Sequence, residues 1–353
     1  MTTQASSDLS PDSSKAGGGM RIAVIVAAIT GVTLMAGLVG YFGFGAVLAS
    51  VTRIGVLGFA AFCLYTLINF AVLALAWFAL VPGLSVGVLP ALYWGRLMRE
   101  AASDVLPFSQ LGGLVVGARA AASLGAPASA TQASTVVDIS AELVGQLVFT
   151  LLGLGLVASG VGGSSIRHLE SPPFIAGLGI IALIAVSFML VQWKGVAMLR
   201  RLSVRWAPWL TARLDALQED VGAVYDRPWR VLASVAAHTT AWITATGGVW
   251  LALQFMHAPL TLPATIALES LIYLVRSAAF LIPGAIGVME GGYVLLVPMF
   301  GLPPEIGLAL ALIKRGRDLA IGAPAVLVWQ AMEGRQLLAL HRARPAPAPV
   351  TRP

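Results

Sequence analysis

Apolar runs long enough to cross a bilayer recur along this chain, and that one feature fixes its class. Ile22–Phe42, Gly55–Leu80, Ala128–Ala158, Phe174–Trp193 and Val231–Met256 each hold about 20 or more mostly apolar residues, the length a helix needs to span the hydrocarbon core. Of the 353 residues 58% are hydrophobic and 11% charged, less than half the charge of an ordinary soluble domain, about 25%. A soluble enzyme is excluded, because the stretches between the runs are too short for a catalytic domain. The net charge of +6 does not point to nucleic acid. The basic residues gather between the runs and in the tail, as positive-inside orientation requires.

Two further segments are apolar but broken. Leu106-Pro-Phe-Ser-Gln-Leu-Gly-Gly113 precedes a run carrying Asp138, Glu142 and Gln146. Ile282-Pro-Gly-Ala-Ile-Gly-Val-Met-Glu290 precedes a run interrupted by Lys314-Arg-Gly-Arg-Asp318. Pro107 and Pro283 stand 176 apart, and the same offset joins Gly125 to Gly301, Pro127 to Pro303, Ala133 to Ala309 and Glu142 to Asp318. This predicts a duplicated unit. Its broken segments, Pro107–Gly125 and Pro283–Gly301, are expected to be re-entrant, since non-helical backbone at membrane depth survives only where it lines a cavity or is buried in protein. Paired, interrupted hydrophobic segments point to a transporter's binding site.

The expected architecture is all-α and polytopic, with about seven or eight transmembrane helices. Residues 1–19 and 334–353 are read as disordered tails. Residues 20–333 form the membrane domain, with repeat halves at about 55–193 and 231–333. Residues 194–230, rich in Arg and Trp, read as an amphipathic linker on the cytoplasmic surface. Arg96 and Glu100 sit i,i+4 and can pair on a helix at the interface, with a short polar crossing as the alternative. The topology carries a conflict. If Pro107–Gly125 does not cross, a basic tail on the inside requires Pro283–Gly301 to cross, and the halves then differ. Leu262–Ile282 counts as a span in this reading.

The candidate site residues are Arg119, Asp138, Glu142, Gln146, Glu290, Lys314, Arg317 and Asp318. The broken-segment motif adds Pro107, Gly112, Gly113, Pro283, Gly284 and Gly287. A central membrane charge costs about 2.5–3.5 kcal/mol on insertion scales, so it faces a partner or a water-filled cavity. Charge balance lets the acidic face of one half meet the basic cluster of the other. The alternative is internal ion pairs that fix helix register. Arg119 and Glu290 follow the breaks, where freed backbone N–H groups can meet an anionic or hydroxylated group. The four histidines lack zinc spacing. No metal, cofactor or ATP-binding motif is expected. Cys63, within an apolar run, reads as packing.

From Gly37 to Trp329 the layout resembles the transmembrane region of the lysylphosphatidylglycerol synthase family, also called flippase-like membrane proteins. Leu106-Pro-Phe-Ser-Gln-Leu-Gly-Gly113, Gly117-Ala-Arg119 and Val137-Asp-Ile-Ser-Ala-Glu142 are similar to the hopanoid-biosynthesis-associated members. Pro283-Gly-Ala-Ile-Gly287 and Glu290 are similar to the family's Pro-Gly-Gly-x-Gly-x-x-Glu pattern. Two positions depart: Ala285 stands where the family often has Gly, and Leu114 where it often has an acid. The family's synthases add a soluble aminoacyl-transfer domain. This chain ends at Pro353, so the resemblance implies lipid handling rather than aminoacylation: a multi-pass protein of the bacterial inner membrane that moves or presents membrane lipids, hopanoids among them. A scaffold for hopanoid-biosynthesis enzymes and an intramembrane head-group enzyme are the alternatives.

Overall fold

The computed structural model describes residues 44–81, 85–105, 109–162, 219–279 and 285–342, with positions 40 and 282. The expected spans Ile22–Phe42 (apart from position 40) and Phe174–Trp193, most of the 194–230 linker, and Pro107, Pro283 and Gly284 lie outside them, as do residues 1–19 and 343–353. The described elements are helices, and no strand occurs among them.

A short helix α1 (Phe44–Thr52) leads into two series of the same order. The first is α2 (Gly55–Leu80), α3 (Leu89–Val105), α4 (Ser109–Ser123) and α5 (Ala128–Ala158). The second is α6 (Pro228–Phe255), α7 (Leu262–Ala278), α8 (Val288–Leu296, extended by a 3-10 turn to Phe300) and α9 (Pro304–Arg342). Each runs long, short, short, long. α3 and α7 both have 17 residues and start 173 apart, as do α2 and α6; α5 and α9 start 176 apart. The single offset of 176 therefore needs a gap of three upstream of the second break.

Local chemistry explains the boundaries. Thr261 accepts a hydrogen bond from the Ala264 N–H at 3.3 Å and caps α7, with Pro263 at its first turn. Gly287, at φ +79°, begins α8 in a conformation that suits glycine, and the Glu290 carboxylate accepts its N–H at 2.6 Å. Arg230 donates to the carbonyls of Ala79 and Val81 at 3.3 and 3.4 Å, closing the C-terminus of α2 with a cation. The charges of Lys314-Arg-Gly-Arg-Asp318 interrupt the apolar run but not the helix, and the tail read as disordered from residue 334 begins as helix, since α9 continues past Glu333 to Arg342. Backbone hydrogen bonds within a helix tolerate charges wherever those charges find partners.

α2 and α6 pack side by side and antiparallel. Phe255 lies against Gly58, the Thr244 hydroxyl donates to Asn69 Oδ1 at 2.6 Å, and Arg230 reaches the far end of α2. α3 and α4 form a tight hairpin. A Cβ on Gly117 would lie 2.7 Å from Arg99 Cβ, and one on Gly95 would lie 2.8 Å from the Gly117 carbonyl. Gly113 meets Arg99 and Ser103 in the same seam, so it serves helix contact rather than the break, while Gly112 faces open space. α7 and α8 fold back likewise, with Gly292 against Ile272 and Val275. The first short helix of each series also packs on the last long helix of the other, α3 on α9 and α7 on α5.

The outside is apolar. Val56, Leu57, Leu64 and Ile68 of α2, Leu151 of α5, and Leu327 and Val328 of α9 are exposed. Charged residues are inside: Arg96, Asp138, Glu269, Glu290 and Lys314 are all buried. Soluble proteins show the reverse distribution. α2 and α5 (from Ala130) are long and apolar enough to cross a bilayer by length and composition. α3 and α7, at 17 residues each, lie at the short end of the range of about 17–25 that a crossing takes, and α7 ends at Ala278, before the expected end at Ile282.

Ala285 sits at φ +48° and is buried, in the left-handed region that disfavours a side chain. The Gly that the related pattern carries here has a steric reason. Ala285→Gly is expected to stabilise the protein by about 1 kcal/mol, read as a higher unfolding midpoint in detergent. A lower midpoint would contradict the assigned backbone conformation.

Candidate functional site: two buried charge clusters

The first cluster joins α3, α5 and α6. Arg96, only 1% exposed, donates to Asp138 at 3.3 Å and to both oxygens of Glu142 at 3.2 and 2.7 Å. Arg99 donates to Asp138 at 2.7 Å and to Glu142. The expected Arg96–Glu100 pair is present at 2.8 Å. His238 of α6 completes the group, with Nε2 2.9 Å from Asp138 Oδ1. Two guanidinium planes against two carboxylates satisfy nearly every oxygen, the condition under which buried ions survive.

The second cluster joins α7, α8 and α9. Lys314 donates to Glu269 at 2.7 Å and to the Tyr293 hydroxyl at 2.6 Å, and the Tyr293 hydroxyl donates to the other Glu269 oxygen. The ammonium lies 5.2 Å from the ring centres of both Tyr273 and Tyr293, within cation–π range. Glu290 accepts from Arg315 at 3.0 Å while it caps Gly287, so it satisfies broken backbone and a cation together. Arg317 pairs with Asp318 at 2.6 Å and lies over the Phe62 ring.

The clusters occupy corresponding positions with opposite polarity. Arg96 on α3 and Glu269 on α7 are 173 apart; Asp138 on α5 and Lys314 on α9 are 176 apart, the offsets of the helices that carry them. The short helix carries the cation in one series and the carboxylate in the other. The expected acidic-to-basic contact between the halves is therefore replaced by pairing within each half, with His238 reaching across to Asp138. Arg96, Arg99, His238 and Glu269 belong to the site although the sequence reading left them out. Applying the helix offset to Arg96 lands on Glu269 and was the signal that could have found the pair.

The other expected residues divide. Asp138 and Glu142 share one face as their spacing requires, but Gln146 turns to α7 and donates to Ser277 at 2.7 Å. Arg119 is away from both clusters: it is 63% exposed and makes a two-pronged pair with Glu333 of α9 at 2.8 and 2.9 Å. Lys314 and Asp318 lie on one face but serve different partners.

A groove opens beside the second cluster, lined by Tyr273, Arg276, Glu290, Tyr293, Lys314, Arg315, Arg317 and Asp318. A second depression, between α2, α3 and α9, is lined by Thr66, Phe70, Glu100, Asp318 and Gly322. Asp318 belongs to both and links the edges of the two clusters. The first groove carries Arg276, Lys314, Arg315 and Arg317; Lys314 is paired with Glu269, Arg315 with Glu290 and Arg317 with Asp318.

An apolar exterior around charged, grooved interior helices defines an all-helical membrane protein. Residues 22–325 match the family model described as the lysylphosphatidylglycerol synthase TM region, and the chain belongs to that family. No curated protein and no solved structure matches the chain.

Breaking one buried pair leaves a lone charge, which typically costs about 3–5 kcal/mol. Glu269→Leu or Lys314→Leu alone should lower stability by about that amount, whereas the double variant should recover most of it. Unfolding midpoints of the three proteins measure the coupling; additive losses would contradict the pair.

Proposed function

We propose that the protein is an inner-membrane lipid translocator, with the lipid head group held in the α7–α8–α9 groove and the tails left in the bilayer. The groove carries this reading. It places Arg276, Lys314, Arg315, Arg317, Glu290 and Asp318 next to an exterior built of Val, Leu and Ile side chains. A polar head and an apolar tail thus find matching surroundings at one place. Family membership supports a lipid-related function.

The two series act as an inverted repeat in this proposal. Matched helices α2 and α6 run antiparallel, so an operation that exchanges the series also exchanges the two faces of the membrane, as in many secondary transporters. The hairpins α3–α4 and α7–α8 then enter from opposite faces without crossing. In this arrangement α2, α5, α6 and α9 cross, and the apolar runs Ile22–Phe42 and Phe174–Trp193 are counted as crossings from sequence alone. This arrangement keeps the halves equivalent and puts the basic 194–230 linker and the basic tail on the cytoplasmic side together. It removes the topological conflict by taking α7, like α3, out of the set of spans. Rocking of one hairpin against the long helix of the other half would open the groove to either side. The ligand's differential affinity for the two states would set their populations.

The lipid is assigned to the hopanoid pathway from the Leu106–Gly113 and Val137–Glu142 forms alone. Gentle extraction from native membranes, followed by mass spectrometry of co-purifying lipid, tests both parts beside an Arg317→Gln/Asp318→Asn variant. A lipid enriched on the wild type and lost from the folded variant is expected, and its chemistry decides the hopanoid assignment. Lipid in the same proportions as bulk membrane would overturn the groove as a lipid site.

A further inference from the structure

His238 is the one imidazole of the first cluster. Its ring is fully buried, and Nε2 meets Asp138 Oδ1 at 2.9 Å. Nδ1 has no partner among the described residues. The same is true of Ser234 Oγ one turn before it and Trp242 Nε1 one turn after it. Positions 234, 238 and 242 form a single stripe along α6, and each presents a buried polar atom without a hydrogen-bond partner among the described residues. Arg96 Nε, in the adjoining cluster, is a fourth. Buried polar atoms in folded proteins are satisfied by ordered water when protein does not serve, and such a file of water also conducts protons.

The charge balance of the cluster points the same way. Arg96 and Arg99 face Glu100, Asp138 and Glu142. With a neutral imidazole the fixed charges leave one negative charge unmatched, and one proton on His238 cancels it. The other elements packed on α6 bring one further cation, Arg276 of α7, which is itself engaged in an interaction. Residues 70–78 of α2 contain no ionisable side chain. α7 presents Tyr273 edge-on to Trp242 at 4.5 Å, with Glu269 and Arg276 on the same helix. The stretch 219–225 contacts Leu80 and Val137 through Val221 and Val224, and keeps Glu219 and Asp220 exposed.

We propose that His238 and Asp138 form a proton-binding site that unlocks the α3–α4 hairpin. In the locked state the imidazole donates from Nε2 to Asp138, and Nδ1 keeps its lone pair. A proton arriving along the stripe binds Nδ1. The imidazolium then draws the Asp138 carboxylate, through Oδ1, toward α6 and away from Arg96 and Arg99 on Oδ2, and the hold of α5 on α3 weakens. A proton gradient thereby biases the hairpin. The inference rests on the translocator reading for its purpose, but its site is testable without any lipid movement.

The experiment uses full-length protein in nanodiscs. His168, His257 and His341 are changed to Gln, so that His238 is the sole imidazole. Its ring nitrogens are followed by NMR from about pH 5 to 9, the window in which histidine titrates. In parallel, spin labels at Val115→Cys on α4 and Leu327→Cys on α9, both exposed, report the hairpin's distance from α9 in a Cys63→Ala background. The expected result is a titration of His238 in that window, moved in midpoint by Asp138→Asn, with the label distance lengthening over the same pH range. In folded His238→Gln the distance stays at its high-pH value. An imidazole that does not titrate overturns the proposal, and so does the same distance change in His238→Gln. Lipid transfer is scored separately. A titrating, gating His238 without lipid transfer at any pH overturns the translocator reading and upholds the proton site.

Discussion

Charge buried inside an apolar shell is the constraint on which this structure depends. Arg96, Arg99, Asp138 and Glu142 cannot face the Val and Leu exterior, and none is tolerable there alone. Their mutual geometry fixes how deep α3 sits against α5, and the glycine seam at Gly95, Gly113 and Gly117 then fixes α4 against α3. Glu269, Tyr293 and Lys314 do the same for α7, α8 and α9. Remove either set of charges and the short helices have no reason to lie where they do, since apolar side chains pack against lipid about as well as against protein.

Much of this was legible in the sequence, and the limits have physical causes. The long apolar runs announced α2, α5 and α6, because length and hydrophobicity are what a bilayer selects. Asp138 and Glu142 announced themselves by polarity in an apolar run. The partners were harder to see. Arg96 and Arg99 lie in a stretch polar enough to pass for an interfacial helix, and only folding shows that Arg96 is almost wholly buried. Glu269 lies in a run apolar enough to pass for a crossing, although its helix stops at Ala278. Arg119 misled in the other direction: it follows a Pro/Gly break but turns outward to Glu333. His238 is isolated in sequence, and its role depends on a contact a hundred residues away.

Opposite polarity at matched positions has a consequence for motion. If both halves carried the same pair, one head group would be met by equivalent surroundings from either side. Exchanging cation and carboxylate between short and long helix makes the two hairpins respond differently to one charge. In the proposed mechanism, a proton at the first cluster and a lipid head group at the second would act on different hairpins of one body. They are coupled through the packing of α3 on α9 and α7 on α5.

The central claim is that these charged hairpins serve the passage of a lipid head group across the membrane. Purified protein in vesicles containing a trace of fluorescent lipid tests it directly. A membrane-impermeant reductant bleaches only the outer leaflet, about half of the signal when lipids do not exchange. Wild-type protein is predicted to expose most of the remaining label within the experiment, and folded Arg317→Gln/Asp318→Asn protein to leave it protected. Wild-type vesicles that keep half their signal, across a range of head groups including a hopanoid, would contradict the account.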